Sequence, residues 1–148
     1  MKEKIKFIWF IGDLFSYKNN IRFNCKTKRF YKDYKYVSYL KRVRAVVRSQ
    51  IKYIPEKIEY PLKLYTLFIF KDNRRRDLLN MMHAIADALV YEGVIEDDDW
   101  KHFIPIFLEP KKSNFDGFIL FFDKPNTKDI EKIFNFVKKI YHDNRNNT

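Results

Sequence analysis

Cysteine is all but missing from this 148-residue chain: Cys25 stands alone, so an intrachain disulfide is impossible and a cysteine-built zinc cage is excluded. A lone thiol fits a reducing compartment, with the cytosol as the default. Long apolar runs are missing as well. The uninterrupted one near the amino terminus, residues 7–11, is too short for a signal-peptide core or a membrane span, so the chain is expected to be neither exported by that route nor membrane-spanning. No internal repeat and no linker divides the chain, and its length suits one domain that buries about 70% of its unfolded surface. That domain is expected over residues 1–141, with 142–148 as a disordered tail. Acids are the minority charge: 19 Asp and Glu face 30 Lys and Arg, leaving +11. An excess of this size favours a polyanion-binding surface over general solubility, with nucleic acid as the leading partner class.

Apolar and aromatic side chains are plentiful, with 15 Phe, 10 Tyr and 2 Trp, which is too rich for a disordered chain. Residues 5–11 are β-branched and aromatic and stop at Gly12-Asp13, which predicts a first strand. Residues 16–35 interleave bases, amides and rings without helical or strand period, and predict a long loop. Lys18, Asn19, Asn20 and Arg22 in that loop are suited to lie along a phosphate backbone, with rings stacking on unpaired bases. A plain surface loop is the other reading. Residues 34–54 carry Val37, Leu40, Val43, Val47, Ile51 and Ile54 three or four apart, the stripe of an amphipathic helix. Lys41, Arg44, Arg48 and Lys52 follow the same spacing on an adjoining face, so a basic ridge available to DNA runs beside the buried stripe.

Between Pro61 and the next basic run, residues 62–70 read as a strand buried on both faces. A helix is expected over 77–92, ended by Gly93, and two strands over 101–108 and 115–122 are spaced to form a hairpin. Asn126 or Thr127 caps a last amphipathic helix that reaches about Tyr141.

The chemistry concentrates in the middle. Arg74-Arg75-Arg76 leads into Asp77-Leu78-Leu79-Asn80; Asp87-Ala88-Leu89 follows, and Gly93 precedes Glu96-Asp97-Asp98-Asp99. This order puts a carboxylate at a helix start and more carboxylates on the loop behind, the hard oxygen ligands that Mg²⁺ takes and that phosphodiester hydrolysis uses. Taken singly, Asp77 is equally a plain helix cap, and the acidic run a solvated turn.

Over residues 74–98 the sequence resembles the RusA family of Holliday-junction resolvases, in the basic run, Asp-Leu-x-Asn, Asp-Ala-Leu, and the Gly and Asp-Asp pair; Ser16-Tyr17-Lys18-Asn19-Asn20 looks like the family's Asn-containing loop. The resemblance implies an α+β domain, a two-layer mixed sheet with helices largely on one face, homodimeric, encoded by a bacterium or phage. It implies an endonuclease dependent on Mg²⁺, with Mn²⁺ as substitute, that resolves four-way junctions in recombination and repair. By position Asp77 and Asp98 correspond to metal-binding aspartates, with Asp97 the neighbouring acid. Arg74, Arg75 and Arg76 join the loop and the ridge in gripping DNA. Two positions depart from the family's pattern: Leu79 stands where it has a third aspartate, and His83 where it has a lysine. His83 is either a proton donor or phosphate contact in the catalytic set, or a structural residue. Two alternatives therefore accompany the nuclease reading: a catalytically silent structure-selective DNA-binding protein, and an RNA-binding module.

Overall fold

The computed structural model describes residues 4–15, 21–32 and 34–147. Its centre is a mixed sheet in which β4 (Leu62–Phe70) is the longest strand. On one side β4 pairs antiparallel with β7 (Gly117–Phe121), which pairs antiparallel with β1 (Phe7–Ile11). On the other side β5 (Phe103–Phe107) and the two-residue β6 (Lys111–Lys112) pair parallel with successive stretches of β4. The expected hairpin between the last two strands is thus corrected: β4 lies between them. After β5 the chain continues along the same edge of β4 as β6, and only then crosses the sheet end to return on the far side.

Alternation along the strands sends Ile8, Phe10, Leu64, Phe68, Phe118 and Leu120 to one face and Leu67, Ile69, Ile119 and Phe121 to the other. The first face is covered by α1 (Tyr34–Ser49) and α2 (Leu78–Tyr91), the second by Ile133, Phe134 and Val137 of α3 (Thr127–Asn146). The expected two-layer arrangement is therefore corrected to three layers. A central strand apolar on both faces needs cover on both.

α1 stops five residues before the apolar spacing does. The Gln50 side-chain oxygen accepts from the Trp9 N–H at 2.9 Å, and its amide donates to the Trp9 carbonyl at 2.8 Å. This pairing occupies the outer edge of β1, which would otherwise offer unpaired backbone groups. Beyond it a short 3₁₀ turn, Ile51–Tyr53, leaves Ile51 exposed. Asp77 and Glu92 cap α2, with Gly93 at φ 75° just beyond. Asn126 and Asp129 form a reciprocal capping box at the start of α3. The tail expected from residue 142 is helical to Asn146, and the Arg145 guanidinium donates to the Tyr141 hydroxyl at 3.3 Å in its last turns.

The expected loop over 16–35 holds instead a two-stranded hairpin, β2 (Ile21–Asn24) and β3 (Arg29–Lys32), with Phe23 opposite Phe30. The Asn24 side chain accepts from the Lys26 and Thr27 N–H groups, and Lys28 takes a φ of 53°, so the turn closes through a left-handed residue that is not glycine. Among the described residues no helix is long and apolar enough to cross a membrane.

Candidate nuclease site

Strand β4, helix α2 and strand β5 form one parallel crossover unit, and this decides where the acidic groups go. In such a unit the turn entering the helix and the turn leaving it lie at opposite ends of the sheet. Asp77 is in the first, beyond the Phe70 end of β4. The acidic run is in the second: the Glu96 N–H donates to the Tyr60 hydroxyl at 3.2 Å, His102 contacts Asp99 at 2.6 Å, and the Leu62 N–H donates to the His102 carbonyl at 2.9 Å, so this turn is tied to the Leu62 end. The 14 residues of α2 alone separate the two ends by roughly 20 Å. Convergence of Asp77 with Asp97 and Asp98 within one chain is therefore corrected. Among the described residues no three His, Cys, Asp or Glu side chains are grouped to hold a metal ion. A single copy of the chain does not fit the Mg²⁺ site that its sequence suggests.

At the Asp77 end the side chains are closely organised. One Asp77 oxygen accepts from the N–H groups of Leu79 and Asn80 at 3.1 and 3.3 Å, and the other accepts from the Asn80 side chain at 2.8 Å. The carboxylate is thus a helix cap and remains exposed. Leu79 is 66% exposed, and His83, one turn further on, is also exposed. The two share one face of α2, as residues four apart must.

The three arginines ahead of Asp77 divide. Arg74 and Arg75 are exposed, whereas the Arg76 side chain is 10% exposed and donates to Asp72 at 3.1 Å and to both oxygens of Asp116 at 3.4 Å. Asp116 itself is 3% exposed and accepts from the Lys71 N–H at 2.9 Å, and the Arg76 guanidinium lies 4.7 Å over the Phe70 ring. Arg76 is turned into the fold, which corrects its expected place among outward DNA contacts. Hydrogen bonds from Arg74, joined by Arg76, hold the Asp72 carboxyl well below the usual carboxylate range. Around these groups opens a cleft of about 520 Å³, lined by Asp13 and Phe15 after β1, Lys35 at the start of α1, and Lys71, Arg74, Arg75 and Asp77.

Two of the four ridge residues, Arg44 and Arg48, engage the end of the neighbouring helix. Arg48 donates to both oxygens of Glu92 at 3.1 and 2.8 Å, a fork that holds the Glu92 carboxyl below its ordinary range. Arg44 lies 4.1 Å over the Tyr91 ring and Lys52 5.1 Å over Tyr53; Lys41 is exposed. The expected DNA-facing ridge thus also clasps α1 to the end of α2. Lys18, Asn19 and Asn20 lie outside the described residues, and Arg22 is described only as a backbone position in β2.

Asp116 and His102 were not singled out by the sequence reading. Asp116 left a signal, a lone acid at the head of an apolar strand, which is tolerated only with a buried partner. His102 left none beyond its nearness to four acids. Its Nδ1 contact with Asp99 raises its pKa and lowers that of Asp99.

No curated protein matches the chain. The profile of the family Endodeoxyribonuclease RusA matches residues 16–114, about two thirds of the chain. That match takes in the hairpin, α1, the whole β4–α2–β5 unit, the cleft residues from Lys35 to Asp77 and the acidic turn, so the chain belongs to the RusA endodeoxyribonuclease family.

Proposed function

We propose that the protein is a divalent-metal-dependent endonuclease that resolves four-way DNA junctions in recombination and repair, in the cytoplasm of a bacterium or phage host. The observation that carries the reading is the cleft at the Phe70 end of β4, where Asp77 stands beside Lys35, Lys71, Arg74 and Arg75 within the family match. Long-range attraction by the +11 chain and phosphate contacts in this cleft supply binding. The separation of the two acidic groups supports a homodimer as the working unit. In the two-fold assembly proposed, Asp77 of one copy meets Asp98 of the partner subunit, with the adjacent acid at hand, which makes two such sites for the two cuts that a junction requires.

The test is incubation of a synthetic four-way junction with Mg²⁺ or Mn²⁺. Expected are paired nicks in opposed strands, a linear duplex left intact, and loss of cutting but not of binding in Asp77→Asn and Asp98→Asn. Tight junction binding without cleavage in either metal points instead to a silent junction-binding protein, the reading favoured by Leu79 and His83. Equal competition by structured RNA would sink DNA selectivity.

A further inference from the structure

The β2–β3 hairpin belongs to neither side of the sheet. Among the described residues it pairs with no other strand, and neither Phe23 nor Phe30 joins either core cluster. These two rings sit side by side across the ribbon at 5.1 Å and are 50% and 75% exposed. Tyr31 is exposed on the reverse face, as strand alternation requires. A paired apolar surface left in water on an isolated hairpin contributes little to folding, since such ribbons are marginal on their own. Exposed surface of this kind marks a contact.

Charge identifies the occupant. Residues 21–32 contain Arg22, Lys26, Lys28, Arg29 and Lys32 and no acid. Lys26, Lys28 and Arg29 are exposed beside the ring pair. The rings therefore stand in a locally cationic, acid-free surface, which a polyanion complements. A nucleic acid with unstacked bases offers what fits both features, flat apolar faces next to phosphates. Position agrees, because Lys35, three residues beyond the end of β3, lines the Asp77 cleft. Arms of duplex keep their bases stacked, whereas the crossover is where bases are cheapest to expose.

We propose that the β2–β3 hairpin is a base-engaging blade: Phe23 and Phe30 stack on nucleobases unstacked at the branch point, while Lys26, Lys28 and Arg29 hold the flanking phosphates. The proposal rests on the junction-binding reading above. It is tested on the full chain without divalent metal, using four-way junctions that carry 2-aminopurine at the crossover or, as control, within an arm. Binding is expected to raise the crossover fluorescence and leave the arm signal unchanged. Phe23→Thr with Phe30→Thr should abolish the rise and weaken junction binding by about tenfold or more, and Phe23→Tyr with Phe30→Tyr should keep both. Lys26→Gln with Lys28→Gln and Arg29→Gln should weaken binding and flatten its salt dependence, yet keep the rise at saturation.

Should the threonine pair disturb the hairpin itself, p-benzoylphenylalanine in place of Phe30 gives a second measurement, expected to cross-link to crossover bases. A wild-type protein that binds the junction with no fluorescence rise overturns the blade and leaves the function standing. So does an undiminished rise in a folded threonine pair, or cross-linking to arm duplex or to protein alone. A wild-type protein that prefers no junction over duplex overturns the functional reading, and the blade with it.

Discussion

Leu79 and Arg76 each reverse the role that their neighbours suggest. Leu79 lies in an apolar helix yet is 66% exposed on its first turn, so an aspartate there meets water. The cost of burying a charge does not arise, and a carboxylate near a helix amino terminus contributes about 0.3–1 kcal/mol in its favour. Leu79→Asp is therefore expected to melt at or slightly above the wild-type temperature, and to cut junctions faster at limiting Mg²⁺. A folded mutant with no gain at any Mg²⁺ concentration would show that the missing carboxylate is not what limits activity. Arg76 has the opposite character. Arg76→Met strands the buried Asp116 carboxylate with the Lys71 N–H as its remaining partner and is expected to cost about 3 kcal/mol. Arg74→Gln and Arg75→Gln should melt within about 0.5 kcal/mol of wild type and lose affinity for DNA instead. Urea unfolding beside junction titration separates the two behaviours, and equal effects from all three residues would contradict the division.

Elements with long apolar periods were legible in the sequence: β1, β4, α1, α2 and α3 stand close to where spacing and caps put them, because those signals are local. Asp77 and Asn126 cap through their own side chains, and Gly93 follows α2 because, without one, it takes a positive φ freely. The hairpin was not legible. Each strand offers about two alternations, and the turn has no glycine, since Asn24 and a left-handed Lys28 close it. Lys28→Gly should relieve that conformation and stabilise the hairpin by about 0.5–1 kcal/mol, visible as slower amide exchange at Phe23 and Phe30. Faster exchange would mean that chain entropy outweighs the relief. Pairing partners were equally hidden, because strand spacing does not show that β4 will come between β5 and β7. On its other side β7 lies close against β1 at Gly117, where a Cβ would collide with the Phe10 carbonyl oxygen. Gly117→Ala is expected to lower stability by about 2 kcal/mol or more, read from the thermal midpoint.

At the scale of the molecule the acidic groups were legible as residues and misplaced in space. Asp77 and the Asp97-Asp98 pair could be picked out by type and resemblance, but their separation follows from the parallel β4–α2–β5 crossover, a long-range pairing that no short motif encodes. The same geometry gives the dimer a strict test. If each site takes Asp77 from one copy and Asp98 from the other, Asp77→Asn and Asp98→Asn homodimers each lack one aspartate at both sites and are inactive. A heterodimer of the two mutants carries one site with neither aspartate and one site with both. Co-expression with two affinity tags isolates that heterodimer, which is expected to nick a four-way junction in one strand but not to make the paired cut. In a site built within one chain, both sites of the heterodimer remain defective and no nick appears. A monomer yields no doubly tagged species at all, and either result removes the shared site.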